Sequence, residues 1–313
     1  MQATTAIGNK RIIKNVFIMS RPPFHIVGIL PFVLGAVLAS NIFSVFNLGI
    51  FLTGFFAVIA IMLVTYYNGE YYDILEDKLS AKLEKNTFSG GSQIIAQEQL
   101  PKKYAKIASY IALVITAILG LLCQFYFKTG KYTLILGIIG LFFGYFYSHP
   151  PIRFASRGIG EILIGFCYGW LPVTAGFYLQ TGHFNNLANW VSVPIGFTIF
   201  NVILINEFPD YKADKEYNKK NLVVRLGKEK AGIIYIISVI LTWVFFGISI
   251  YKGIPLISLY CYLPFFFVSV FIIFSIIKKA YNDYKKLEKL CALTLIINIG
   301  VTLSYIIGVA FGI

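Results

Sequence analysis

Charge is what this chain has least of. Asp, Glu, Lys and Arg make up 13% of its 313 residues, about half the share found in soluble globular domains, so a water-soluble fold is excluded. Acid is scarcer than base, with 14 Asp and Glu against 27 Lys and Arg. Histidine and cysteine are few and scattered. His25, His149 and His183 stand apart, and Cys123, Cys167, Cys261 and Cys291 fall singly inside apolar runs with no C-x-x-C or metal spacing. Neither a zinc site nor a histidine base is supported. The thiols read as small buried hydrophobes.

What fills the chain instead is apolar: 58% hydrophobic and 17% aromatic residues. Stretches of roughly 20 apolar residues cross a bilayer core about 30 Å thick, and nine are expected, near 22–40, 46–68, 104–127, 131–147, 159–180, 188–206, 231–251, 255–277 and 290–312. The fourth is short. The chain is thus expected to be an all-α, multi-pass membrane protein, a single transmembrane domain over 1–313.

The basic residues test this count independently, because short cytoplasmic loops are enriched in them. Under nine spans, only Lys128, Lys131 and Lys252 of the 27 fall on the far side. The N-terminus is therefore expected in the cytoplasm and the C-terminus outside. The net charge of +13 is a topology signal, since nucleic-acid binding would need a basic face on a soluble domain. Lys10 to Lys14 before an apolar run has the outline of a signal peptide, with Ala39 a conceivable cleavage point, but the many later spans favour a retained first helix.

All 14 acidic residues share the basic side, so the polar working face is expected to look into the cytoplasm. Two clusters stand out there. Asn206-Glu-Phe-Pro-Asp210-Tyr-Lys-Ala-Asp214 places an amide and two carboxylates every four residues, and Asn68-Gly-Glu70-Tyr-Tyr-Asp73-Ile-Leu-Glu-Asp77 repeats the carboxylate pair. On a helix that spacing stacks side chains on one face. Each cluster ends a span (the second and the sixth) and opens a polar loop, 69–103 or 207–230, which hints at an internal duplication. One such pair is often a solvated helix end. Two in matching positions at membrane depth point to function. Hard oxygen ligands suit Mg²⁺, which binds through one or two carboxylates plus substrate phosphates, and a diphosphate bridging two ions would need both clusters.

A departing diphosphate also needs cations. Arg153, Arg157, Lys82, Lys85, Lys220 and Arg225 flank the clusters, and some of them are expected to line the site. Thr87-Phe-Ser89-Gly90-Gly91-Ser92 is a glycine turn able to offer backbone N–H groups to phosphate, although it is no Walker sequence. Tyr66, Tyr67, Tyr71, Tyr72, Tyr145, Tyr147 and Tyr211 crowd the same level. They read as an interfacial belt or as aromatic faces that stabilise a carbocation.

With the paired aspartates, Arg21-Pro-Pro-Phe and Tyr147-Ser-His-Pro-Pro-Ile-Arg153, the chain resembles the UbiA-type intramembrane prenyltransferases over nearly its whole length. Phe88-Ser-Gly-Gly-Ser92, Arg157-Gly-Ile-Gly-Glu161, Gly176-Phe-Tyr-Leu-Gln-Thr-Gly182, Asn206-Glu-Phe-Pro-Asp210 and Val223-Val-Arg-Leu-Gly227 look most like its menaquinone-pathway branch, which attaches a polyprenyl chain to 1,4-dihydroxy-2-naphthoate. The resemblance implies nine helices around a central cavity in a prokaryotic plasma membrane. It implies Mg²⁺ on Asp73, Asp77, Asp210 and Asp214, with Asn206 completing the second motif, Arg153 and Lys220 on phosphate, and Tyr147 facing the reacting carbon. Arg21 and Ser89 join the substrate-binding set through their motifs.

One departure matters. The family has Asn four residues before the first Asp, where this chain has Gly69, with Asn68 five before Asp73. Either a one-residue π-turn returns Asn68 to the cavity, or Glu70 takes over.

The expected partners are a polyprenyl diphosphate and an aromatic acceptor, and the expected reaction is attack by the ring on the allylic carbon with loss of a proton. Hydroxybenzoate, homogentisate, a haem or a prenylated glycerol phosphate would be alternative acceptors. A transporter or cation channel would instead set carboxylates deep in several spans, and a non-catalytic scaffold would be expected to have lost ligands.

Overall fold

The computed structural model describes residues 8–83 and 86–312; Lys85 lies outside them. Every regular element among the described residues is helical. In chain order these are α1 (Asn9–Met19), α2 (Ile26–Phe43), α3 (Leu48–Tyr72), α4 (Ile74–Leu83), α5 (Lys103–Leu121), α6 (Thr133–Tyr145), α7 (Gly160–Gly165), α8 (Leu171–Thr181), α9 (Asn186–Glu216), α10 (Leu222–Leu226), α11 (Lys228–Tyr251), α12 (Ile257–Ile277) and α13 (Tyr284–Phe311). Single π-helical turns, Leu122–Tyr126 and Phe166–Trp170, extend α5 and join α7 to α8.

Eight of the resulting helices among the described residues are long and apolar enough to cross a membrane. The remaining expected span, 131–147, is the 13-residue α6, only about 20 Å long against a hydrocarbon core of about 30 Å. At the other extreme, α9 runs 31 residues, about 46 Å, and so carries Asp210 and Asp214 past its apolar stretch.

Local chemistry sets several ends. Asn47 and Asn185 cap α3 and α9 by accepting from the N–H groups of Ile50 and Leu187 at 3.0 and 2.7 Å, and Asp283 does the same for α13 through Lys286. Such caps satisfy donors the first helical turn leaves unpaired. Pro209 inside α9 has no N–H for the Ile205 carbonyl. The Cys291 thiol donates to that oxygen instead, at 3.7 Å, and α9 continues unbroken.

Without water to drive helices together in lipid, close packing of small residues does much of the work. A Cβ on Gly35 of α2 would lie 2.0 Å from the Val173 carbonyl oxygen, and one on Gly176 of α8 would lie 2.1 Å from that of Phe32. The α2 and α8 backbones therefore touch. In the C-terminal half, α9, α11, α12 and α13 close around one core in which Phe246 stacks on Tyr262 and Tyr305, with centroids 4.3 and 4.5 Å apart. Outward side chains such as Ile237, Phe267 and Phe274 stay exposed, a surface suited to acyl chains rather than water.

The segment read as a loop at 207–230 is largely helical and the one at 69–103 is helical in its first half. α3 runs to Tyr72, α4 follows at once, and α9 reaches Glu216.

Candidate active site

The two acidic helix ends face each other across a cavity of about 180 Å³. Glu70, Asp73 and Asp77 line one side, and Asn206, Glu207, Asp210 and Asp214 line the other. The two motifs arrive differently. α3 stops at Tyr72, where Asp73 leaves helical geometry (φ −100°, ψ 19°), so Asp73 and Asp77 sit on either side of a break. Asp210 and Asp214 lie one turn apart on the uninterrupted α9.

Three of the four aspartates are fastened by hydrogen bonds or ion pairs. Asp73 accepts from Arg153 Nη2 at 2.7 Å and Ser148 Oγ at 2.9 Å, and the same guanidinium nitrogen reaches Glu76 at 2.6 Å. Asp210 accepts from Ser80 Oγ and, at 3.1 Å, from the Gly90 N–H. Asp214 accepts from Asn221 Nδ2 at 2.7 Å, with Lys219 Nζ 3.5 Å away.

The glycine turn bridges the two sides. Thr87 donates through its hydroxyl to Glu288 of α13 at 2.6 Å, and Ser92 donates through N–H and hydroxyl to Glu70 of α3 at 2.6 and 2.7 Å. Gly90 and Gly91 have φ of +70° and +64°, the left-handed region that glycine enters freely. At Gly91 a Cβ would also lie 2.3 Å from Asp77 Oδ2. The backbone can approach that carboxylate only without a side chain. The hydroxyl of Ser89, the side-chain oxygen of Asn206 and one oxygen of Glu207 are buried at this cavity with no hydrogen-bond partner.

Six carboxylates line the cavity against two cations, Arg21 and Lys219. Burial first, then the neighbouring Asp73 and Glu70, push Asp77 well above the usual carboxylate range. Burial alone would lower the Lys219 ammonium, but Asp214, Asp73, Asp210 and Asp77 hold it well above its ordinary value, so it stays charged. Excess negative charge, hard oxygen donors and unpartnered oxygens together fit a divalent cation. No three His, Cys, Asp or Glu side chains converge on one point among the described residues. A Mg²⁺ here would complete its shell with water and substrate phosphate, as that ion commonly does.

Below the carboxylates the cavity turns aromatic. Tyr66, Tyr147 and Tyr168 line it, and Thr65, Tyr147, Ile164 and Tyr168 also line a second, apolar cavity of about 110 Å³. Tyr147 presents its ring to both cavities. Of the seven tyrosines at this level, Tyr66 and Tyr147 reach the cavity. Tyr67 donates to the Val16 carbonyl, Tyr72 and Tyr145 pack on His149, and Tyr211 lies beside Lys215 and Lys228. Tyr168 was not expected from sequence; it sits on the π-turn at 166–170.

Two placements correct the sequence reading. Asn68 turns away from the cavity, donating to the Tyr145 carbonyl at 3.2 Å and accepting from Ser109 of α5 at 2.9 Å. No π-turn interrupts α3, so Glu70 takes the place beside Asp73. Lys220 is exposed, and its carbonyl accepts from Arg225 Nε at 2.8 Å; its neighbour Lys219 enters the site. The other basic residues are occupied elsewhere or face out. Arg153 binds Asp73 and Glu76, Arg157 donates to the Pro151 and Ile152 carbonyls, and Lys82 is exposed. Arg21 lines the cavity with its guanidinium 4.7 Å from the Phe24 ring centroid and 3.4 Å from the Phe88 carbonyl oxygen.

Residues 26–299 match the model of the UbiA prenyltransferase family. A 1,4-dihydroxy-2-naphthoate octaprenyltransferase of Bacillus subtilis is 28% identical over 214 residues. That stretch is 68% of this chain and 66% of the relative, just under two thirds of the latter's length. Among solved structures, a UbiA homologue from Aeropyrum pernix K1 superposes with a TM-score of 0.67 at 14% identity, covering 90% of this chain and 97% of that one. A homologue from Archaeoglobus fulgidus bound to DMAPP and Mg²⁺ gives 0.60 at 16% identity, covering 92% and 99%. At such identities the likeness shows a shared fold.

Proposed function

The chain belongs to the UbiA prenyltransferase family, and from that premise we propose that it transfers a polyprenyl chain from an allylic diphosphate to an aromatic acceptor in the membrane. The observation that carries this reading is the pair of acidic helix ends facing across one cavity that opens, past Tyr147 and Tyr168, into an apolar one. A diphosphate with a greasy tail has that same division.

Asp73 and Asp77 on one side and Asp210 and Asp214 on the other would hold Mg²⁺, with Asn206 beside the second pair. When bound, Mg²⁺ neutralises the diphosphate and makes it a better leaving group. The chain's own residues do the rest. Lys219 and Arg21 set fixed positive charge at the cavity wall, where charge builds on the departing oxygen. The Ser89 hydroxyl and the Gly91 backbone face the same space. As the C1–O bond breaks, its electron pair leaves with the diphosphate and the allylic carbon becomes electron-poor. The neutral Tyr147 and Tyr168 rings stabilise that carbon through their faces. An electron-rich acceptor ring then bonds to it and regains aromaticity by losing the proton on the attacking carbon, or carbon dioxide where that carbon carries a carboxylate. Arg153 acts from outside the cavity, holding Asp73 in position.

The acceptor we propose is 1,4-dihydroxy-2-naphthoate, in menaquinone biosynthesis, on the strength of the B. subtilis relative's activity and the sequence motifs at 88–92 and 206–210. The distribution of Lys and Arg supports a cytoplasm-facing site, and the B. subtilis relative supports a prokaryotic plasma membrane.

The test is turnover by purified protein in nanodiscs with a labelled polyprenyl diphosphate and three acceptors: dihydroxynaphthoate, hydroxybenzoate and geranylgeranylglyceryl phosphate. The expected result is a prenylated naphthoquinol whose formation stops on chelation and resumes with Mg²⁺. Product on another acceptor alone would discard the menaquinone assignment, and absence of any product would discard the transferase reading.

A further inference from the structure

Arg157-Gly-Ile-Gly-Glu161 and Val223-Val-Arg-Leu-Gly227 lie outside the walls of both cavities, yet the fold sets them against each other. Gly158 has a φ of +70°, and a Cβ there would lie 2.5 Å from Cδ of Arg225. The Arg225 stem therefore crosses bare backbone, and its Nε donates to the Lys220 carbonyl at 2.8 Å. Three residues after Gly158, Glu161 opens α7 and is 1% exposed. Its Oε1 accepts from the Leu222 N–H at 2.6 Å, a donor that the first turn of α10 leaves unpaired. A charged acceptor makes this the stronger kind of hydrogen bond. The other oxygen of Glu161 is buried with no donor among the described residues, so the bond to Leu222 is what orients the carboxylate.

Between these two grips lies Lys219, the cation that enters the acidic cavity. It stands in the non-helical stretch that joins α9 to α10, where Asn218 turns the chain with a φ of +56°. The Lys219 N–H donates to the Asp214 carbonyl at 2.8 Å, and Asn221 donates to the Asp214 carboxylate. Both bonds tie the turn to the end of its own helix. Glu161 adds a tie to α7, across 61 residues of sequence. A lysine ammonium rides on a flexible four-carbon stem, so the backbone beneath it must be fixed before the charge is. Glu161 lines neither cavity and can act on the chemistry only through what it holds. Resting on the transferase reading, we propose that Glu161, with Gly158 and Arg225, forms a clasp that positions the Lys219 ammonium at the diphosphate end of the site.

The experiment is a double-mutant cycle in nanodiscs, with a polyprenyl diphosphate and the acceptor that wild type uses. Glu161→Ala is expected to lower kcat/KM by about tenfold or more, the scale of loss that a displaced group causes. Glu161→Gln keeps an oxygen able to accept from Leu222 and should stay within about threefold of wild type. In a Lys219→Met background Glu161→Ala should cost under about twofold, because the group it positions is gone. Losses that simply multiply overturn the proposal, as does a Lys219→Met variant that turns over like wild type.

Because Glu161→Ala can also fail to fold, Arg225→Met goes through the same cycle. Arg225 is exposed, and methionine keeps a stem across Gly158 while removing the Lys220 bond. Its loss should be smaller and should again vanish beside Lys219→Met. A second measurement reads placement without turnover: acetylation by an N-hydroxysuccinimide ester, mapped by mass spectrometry, gives the reactivity of Lys219 relative to the exposed Lys82. That ratio should rise roughly threefold or more in the clasp variants as the turn opens locally, and an unchanged ratio in both overturns the proposal. Wild type that turns over no donor fails the transferase reading, and the acetylation ratio then decides the clasp by itself.

Discussion

The two Asp-x-x-x-Asp segments are alike in sequence and unlike in build. The second rides an unbroken helix, so Asp210 and Asp214 inherit their relative placement from α9 itself. The first straddles a break at Asp73, and its geometry comes from outside the motif, through Arg153 and Ser148 on Asp73 and the Gly91 backbone against Asp77. Equal spacing therefore does not mean equal rigidity. The first motif depends on the segment 146–157 and the glycine turn; the second depends on its helix and on Ser80 and Gly90 reaching across to it.

The sharpest way to break this comparison is to remove one carboxylate from each side. Asp73→Ala and Asp210→Ala are each expected to lower kcat by about 10³-fold or more in the prenyl-transfer assay, with the folded state retained by size-exclusion profile and circular dichroism. Full activity in either variant would sink the two-sided metal assignment. Next in size is Arg153→Met. Because Arg153 acts through Asp73, the loss should be about 10²-fold and should come with a raised Mg²⁺ requirement, whereas a phosphate-binding role would raise the donor KM at unchanged Mg²⁺ dependence.

Lys219→Met should cost about 10²-fold in kcat/KM, while Lys220→Met stays within about twofold; the reverse order would return the phosphate contact to Lys220. Asn68→Ala and Glu70→Gln divide stability from turnover. The first removes two buried hydrogen bonds and should lower stability by about 1–2 kcal/mol, read as a thermal shift. The second leaves the fold in place but loosens the Ser92 anchor, with about a tenfold loss in kcat. The smallest effect belongs to Lys78→Met, which breaks an exposed pair with Glu98 and should leave both activity and melting temperature where they are.

Much of this was legible beforehand. The span boundaries hold to within a few residues except at α9 and α13, whose helices run on past the apolar stretch into charged sequence. Hydropathy detects the apolar part of a helix and not the helix. The Glu70 placement was also within reach. On a continuous helix, at about 100° per residue, Glu70 and Asp73 would lie roughly 60° apart whereas Asn68 and Asp73 would lie about 140° apart, so Glu70 was the residue sharing the aspartate's face. The Lys219 placement was not, because the chain between Asp214 and Asn221 has no helical phase to extrapolate. Tyr168 was hidden for a related reason, since the π-turn at 166–170 shifts the helical phase.

The sequence by itself determined the membrane setting, the helical class and the two acidic motifs. These follow from composition and short-range spacing, which no packing arrangement alters. Only the tertiary structure decided which side chain of a close pair enters the cavity, that Arg153 serves Asp73, and that the polar site continues into an apolar one. Those outcomes depend on the rotation of each helix about its own axis, and that rotation is set by contacts such as Gly35 on Val173 and Gly176 on Phe32, between residues far apart in the chain.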